Sequence, residues 1–224
     1  MSTFPGSPRL IKGAIVTLLA PNYNQIDSTI AFQYNPDSLS RTLSAEASKE
    51  TDGAPSNEIL LLTRAPHESI NLKVVIDAID QLEKGDQTAI ELGIYPQLSA
   101  LEVLLYPKSS VVKASNQRTS QGALEISPLA APVTLLIWGD KRVLPVRLVS
   151  FTVNEEYHDI RLNPIRAEVT LSLRVLTYSD VPWEEQRAKL FFAHQVSKER
   201  MAAKANISNV REITGVNVAG RLRG

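Results

Sequence analysis

The residues able to do chemistry are few and scattered. The three histidines, His67, His158 and His194, do not stand at the paired spacing that brings two imidazoles onto one metal. A core or surface role is the better reading of each. Glu155, Glu156 and Asp159 form a small acidic cluster beside Arg161. Two carboxylates act as acid and base only where a cleft drives their pKa values apart. A solvated turn, or an ion-pair contact between subunits, explains this cluster better. Ser38, Ser40 and Ser44 have no Gly-x-Ser-x-Gly setting and no matching base. The glycines are too dispersed to cradle a phosphate. With no cysteine in the chain, disulfides and thiolate catalysis are excluded. The chain therefore reads as a non-enzyme with no catalytic residues, no metal site and no cofactor.

Composition points to a packed, soluble part. In 224 residues, 43% are hydrophobic, and 24 Lys and Arg balance 24 Asp and Glu. A core is affordable. Balanced charge argues against nucleic acid or a membrane as partner, and leaves identical copies little net repulsion. The start, Met1 to Pro8, lacks a charged region followed by an apolar one, so no signal peptide is expected. No stretch approaches the roughly 18 apolar residues of a membrane span. Assembly in the bacterial cytoplasm is expected; if the protein leaves the cell, it leaves inside something larger.

The elements that must position these residues are mostly strands. Lys12 to Ala20, Thr29 to Tyr34 and Leu39 to Ala47 read as strands, with a turn at Asn35, Pro36, Asp37 and Ser38. Lys49 to Asn57 reads as a loop. Glu68 to Asp77 alternates, with Ile70, Leu72, Val74 and Ile76 on one face. Ile90, Ile94, Leu98, Leu101 and Leu105 recur at helical spacing. Pro96 fits a helix only in its first turn, so a start near Tyr95 is expected after a short lead-in. Lys108 to Pro128 is long and polar and reads as a loop. Val133 to Trp138 and Val143 to Val153 form a hairpin around Gly139. The second arm changes phase near Leu148, which predicts a bulge or a sheet corner. In Arg166 to Val175, Ala167, Val169, Leu171, Leu173 and Val175 alternate with Glu168, Thr170, Ser172 and Arg174. A helix opens at Pro182 and Trp183, with Asp180 as its cap, and runs to about Ala205. Its cations are diluted by Glu184, Glu185 and Glu199, so it suits a protein partner better than lipid. Asn206 to Gly224 reads as an extended tail that orders on a partner.

Four stretches in this order resemble one family. They are Ala31, Phe32, Gln33, Tyr34, Asn35 and Pro36 with Leu39, Ser40 and Arg41; Gly93 to Glu102, leading to Tyr106 and Pro107; Leu135 to Gly139, with Trp138; and Glu155 to Leu173, with Asn163, Pro164, Ile165, Arg166 and Ala167. Together they resemble the tube-type proteins of contractile injection systems, over residues 9 to 178. The family motif residues are Phe32, Tyr34, Asn35, Pro36, Trp138, Asn163, Pro164 and Arg166.

The resemblance implies a mainly β, α+β chain. A tail-tube-like antiparallel barrel or pair of packed sheets with one internal helix would occupy residues 1–178. A C-terminal helix and extended tail would occupy 179–224. It implies a phage-tail-like structural protein that joins the spike hub to the inner tube as a tube adaptor, or tube initiator, of the baseplate. Its partners would be itself in a hexameric ring, the spike hub protein, the inner tube protein and other baseplate subunits. Nucleic acid and direct membrane binding are not among them. The row Glu168, Thr170, Ser172 and Arg174 would face the lumen, with its apolar partner row against the helix near Leu98 to Leu105. Longer relatives carry a peptidoglycan-binding LysM module; here Trp183 to Gly224 stands in its place, and Trp183, Phe191 and Phe192 become the candidate baseplate contacts. The alternatives are a main inner-tube subunit, a monomeric β-sandwich binding module with the 108–128 loop as its site, and, least supported, a hydrolase using Glu155 and Glu156.

Overall fold

A computed structural model describes residues 11–19, 25–45, 64–120 and 133–205. In chain order the elements are strands β1 (Ala14–Leu18), β2 (Ile26–Ala31), β3 (Leu39–Ser44) and β4 (His67–Asp77). Four helices follow, α1 (Ile79–Glu83), α2 (Gln87–Leu92), α3 (Tyr95–Glu102) and α4 (Ser109–Ser120). Strands β5 (Val133–Ile137), β6 (Val143–His158) and β7 (Pro164–Val175) precede helix α5 (Gln186–Lys204). The fold is mainly β with added helices, as expected. The 49–57 loop and the 206–224 tail lie outside the described residues.

All seven strands join one sheet in the order β2-β1-β5-β6-β7-β4-β3, and every pairing is antiparallel. Strands β2 and β3 hold opposite edges, yet only residues 32–38 connect them. A flat sheet of seven strands is about 29 Å across, roughly what that connection spans when fully extended. It is not extended. Phe32 N donates to Gly13 O at 2.9 Å, and Asn35 Oδ1 accepts from Gly13 N at 2.8 Å, both at the start of β1. Between them, Gln33 Oε1 accepts from Asp77 N at 2.9 Å at the end of β4. Neighbouring residues touch strands far apart in sheet order only if the sheet is rolled. The roll encloses a core shared by Ile15, Ile70, Leu136, Leu144, Val169, Leu171, Leu173 and Val175 with Leu98 and Leu101 of α3 and Phe191 of α5.

Several details follow the sequence. Helix α3 starts at Tyr95 with Pro96 in its first turn, where the missing N–H costs nothing. Asp86 caps α2 by accepting from Ala89 N at 2.9 Å. The ladder between β6 and β7 shifts register between Leu148 and Ser150, leaving Val149 as the bulge.

Others depart from it. Among the described residues there are four internal helices, not one. The 108–128 stretch is not a loop throughout, since α4 occupies Ser109–Ser120. None of its residues is buried, so no apolar stripe announces it, but it holds no Gly or Pro to break a helix. Helix α5 starts at Gln186 after Glu185 rather than at Pro182. Asp180 does not cap it. Its carboxylate already accepts from Thr177 N and Thr177 Oγ1, both at 2.9 Å, and from Arg174 at 2.6 Å.

Candidate functional site: an assembly surface

The family motif residues meet one another. Phe32 is buried and packs on Trp138 with ring centroids 6.3 Å apart. Gly13 lies beneath both; a Cβ there would come within 2.8 Å of each ring. Asn35 straps the connection to β1, accepting from Gly13 N and donating through Nδ2 to Ile11 O at 2.8 Å. Asn163 and Pro164 dock on the α2–α3 junction. Asn163 Nδ2 donates to Glu91 O at 3.0 Å, and Ile94 N donates to Pro164 O at 2.9 Å. Gly93 sits at φ 57° with Pro164 O only 2.1 Å from where a Cβ would stand. Arg166 pairs with Asp77 at 3.6 Å and Glu156 at 3.1 Å. Tyr34, Asn35 and Pro36 then line a polar groove of about 510 Å³ with Lys73, Asp77, Arg166 and Glu168. The motifs thus lock the roll, and only Tyr34, half exposed, offers much surface.

The proposed lumen row forms part of a wider wall. On β7, Glu168, Thr170, Ser172 and Arg174 lie opposite the buried Ala167, Val169, Leu171, Leu173 and Val175. Register extends this face to Ser150, Thr152 and Asn154 on β6 and to Ser69, Asn71 and Lys73 on β4. Ser40 and Thr42 continue it on β3. Most of its charges are paired: Lys73 with Glu168 at 2.6 Å, Arg174 with Asp180 at 2.6 Å, Arg166 with Glu156; Arg147, exposed across the ladder from Arg174, adds a further cation. The wall is small, hydroxylated and nearly neutral. The sequence marks the alternation of β7 and of β4 separately but not that their polar faces adjoin, because alternation marks a face without naming the neighbouring strands.

The titratable residues singled out above are dispersed. His67 is exposed at the start of β4. His158 contacts Glu155 at 3.2 Å on an exposed strand end. Asp159 organises the β6–β7 turn, accepting from Arg161 N at 2.7 Å and from Asn163 N and Nδ2 at 2.8 Å each. Desolvation alone would raise its pKa, but the hydrogen bonds from Asn163 and Arg161 prevail and hold it below the usual value. Glu155 and Glu156 are partners of His158 and Arg166 on the surface. Ser40 and Ser44 lie in β3, with Asn71 and His67 across the ladder. Among the described residues no group of three or more His, Asp or Glu could hold a metal ion.

The most unusual charged group was missed. Glu68 is 2% exposed and accepts from Arg41 of β3, with an ion-pair distance of 2.5 Å, and from Lys198 of α5 at 3.3 Å. Glu68 shares the phase of Ile70, Leu72 and Val74 in β4, a carboxylate on the core side of the alternation, and that was its signal. His194 lies nearby, 8% exposed, with Nε2 unpartnered. Burial, and then the Lys198 ammonium, push its pKa below the ordinary 6.5, against the opposing pull of Glu68.

The three aromatics proposed for baseplate contact separate. Phe191 is buried against Tyr178 and belongs to the core. Trp183 and Phe192 are 51% and 42% exposed and stack edge to face with centroids 5.2 Å apart.

Comparison with known proteins decides the family. The profile described as "Contractile injection system tube protein" matches residues 9–180. The chain belongs to the contractile injection system tube protein family. It is a tail-tube-like structural component of a phage-tail-like system, and its family is a structural one. No curated protein is similar enough to count as a match. Among solved structures, a chain from the tail of an empty GTA particle, computed with helical refinement and C6 symmetry, is similar at 15% identity. The TM-score is 0.32, over 73% of this chain and 90% of that one. A chain from the virion of a native gene transfer agent particle is similar at 14% identity and TM-score 0.30, with the same coverage. Superpositions this loose transfer nothing residue by residue. No described helix is long and apolar enough to cross a membrane.

Proposed function

We propose that this tube-family chain is the baseplate adaptor, or tube initiator, that joins the spike hub to the inner tube. Copies form a hexameric ring, with the polar wall that includes Glu168, Thr170, Ser172 and Arg174 turned to the lumen. The observation that carries this reading is the addition beyond the family match. Residues 9–180 match the tube family. Beyond them, α5 is docked into the core through Ala188 and Phe191, and Trp183 and Phe192 are left stacked at the surface. A subunit repeated along a tube needs the same contacts above and below. A subunit used once, between unlike neighbours, gains from an extra contact. The division at 178/179 is part of this reading, with 1–178 as the tube-like domain and 179–224 as the part that meets other baseplate subunits.

The wall suits passage. Small hydroxyl and amide groups, with most charges paired in place, give cargo little to adhere to. Assembly takes place in the cytoplasm, and the finished particle carries the protein onward. Quantitative mass spectrometry of purified particles tests the reading. The expected result is a copy number near one ring per particle, equal to other baseplate parts. Copies scaling with tube length would make this a main tube subunit. Absence from particles would leave a monomeric binding module.

A further inference from the structure

Among the described residues, the roll of the sheet is not closed. Strand β3 covers β4 only from His67 to Leu72, while β7 pairs with β4 as far as Asp77. Among the described residues, the outer edge of β4 from Lys73 onward has no strand beside it. The free edge of β2 lies across the gap. Between them is a groove of about 460 Å³, lined by Ile30, Phe32, Val74, Ile76, Ala100 and Leu101 with other uncharged residues. That volume lies in the range of binding clefts.

Two observations show what the groove is built to take. Ala78 N donates to Ile165 O on the β7 side, so the preceding amide, Asp77 N, points the other way, into the gap. There the side chain of Gln33 accepts from it at 2.9 Å. A glutamine amide is doing with its side chain what a neighbouring strand would do with its backbone. Deeper in the groove, Gln81 Oε1 is buried with no hydrogen-bond partner, an acceptor awaiting a donor.

We propose that this groove receives residues 213–220 of a neighbouring copy as an added strand, an assignment that rests on the ring reading above. The lining contains no charged side chain. Residues 213–220 also carry no charge and no proline, and Thr214, Val216 and Val218 alternate with Gly215, Asn217 and Ala219. The alternation places β-branched side chains on the apolar floor over α3 and small or polar ones outward. The segment's N–H groups serve the free edges of β2 and β4 and the Gln81 acceptor. Residues 206–224, which follow α5, reach about 60 Å when extended, enough to cross into the next subunit. The result is a ring whose members are strapped by exchanged strands rather than by packed faces alone.

The absence of native cysteine makes the test clean. Full-length Ala100→Cys protein is mixed with full-length Val216→Cys, Asn217→Cys or Val218→Cys protein and oxidised mildly, and the same samples are imaged by negative-stain electron microscopy. The expected result is disulfide-linked dimers with Val216→Cys and Val218→Cys, and several-fold fewer with Asn217→Cys, whose side chain points outward. Equal linkage at all three positions would mean random collision and overturn the proposal, as would no linkage at any. The double variant Ala100→Cys/Val216→Cys, linking only within its own chain, would overturn the exchange between copies. Rings without links reject the strand and keep the ring; links without rings keep the strand and reject the hexamer.

Discussion

The two ends of the β4–β7 pair are closed in different ways. At the Asp77 end, the seam is made chiefly by backbone and shape, with the surface pairs of Arg166 beside it: Gly93 against Pro164 O, Asn163 on Glu91 O, Gln33 on Asp77 N. At the His67 end, helix α5 lies over the core and is fixed by Phe191 and by the Lys198–Glu68–Arg41 ion pairs. The first seam carries the family motifs and falls inside the family match; the second pairs Arg41 and Glu68 inside the match with α5 beyond it. Steric contacts of this kind are insensitive to salt and pH. Ionic ones depend on both. The fixed end keeps the tube-like fold, and the conditional end carries the helix that lies beyond the family match.

Loss of the α5 anchor sharpens this contrast most. Phe191→Ala removes a buried aromatic and is expected to cost about 3–5 kcal/mol. Phe192→Ala, at the exposed neighbour, should change stability by less than about 1 kcal/mol. Thermal unfolding of both variants checks the pair. Equal losses would mean that α5 packs by the other face.

Gly93→Ala attacks the opposite end. The new Cβ would lie 2.1 Å from Pro164 O at φ 57°, and both the clash and the left-handed backbone oppose it. A loss of about 3 kcal/mol is expected, read as a melting-point drop of about 6–12 °C that salt does not alter. A drop under about 2 °C would show that the α2–α3 junction shifts away freely.

Glu68→Gln tests the ionic end. It leaves Arg41 and Lys198 facing each other across a buried amide. Both cations are partly solvated, so a loss of about 2 kcal/mol is expected rather than the full value of a broken buried pair. Because the pair is screened, the gap between wild type and variant should narrow as salt rises. A gap independent of salt would mean that Glu68 acts by packing alone.

Much of the steric end was legible and most of the ionic end was not. Pro96 in the first turn of α3 and the β7 alternation are local features, written in proline geometry and period-two patterning, and so is the bulge beside Leu148, which lies level with Ile70 toward the other end. The sheet order is non-local. Nothing in the run from Ile26 to Ser44 says that β2 and β3 hold opposite edges of one sheet. Helix α4 buries no residue, so periodicity had nothing to report. Asp180 had the type and position of a cap, but its carboxylate is engaged by Thr177 and Arg174, a choice that tertiary contacts make. Of the three proposed contact aromatics, Phe191 and Phe192 are adjacent on one helix, so only packing separates the buried ring from the exposed one.

The smallest expected effect is the most specific to the α5 end. His194 faces Lys198 on its own helix, Arg41 on β3, Glu68 on β4 and the backbone of Lys141 in the β5–β6 turn. In this setting its folded-state pKa lies below the unfolded value of 6.5. The unfolded chain therefore takes up the proton first as pH falls. The stabilising contribution of neutral His194 is fully present above about pH 6.5 and is lost as pH falls from there toward the lowered folded-state value. Wild-type protein should melt at lower temperature at pH 5.5 than at pH 7.5, and His194→Gln, which cannot titrate, should lose part of that difference. Gly93→Ala, at the steric end, should keep all of it. An identical pH response in wild type and His194→Gln would place the acid sensitivity in other groups and remove the conditional character assigned to the α5 clasp.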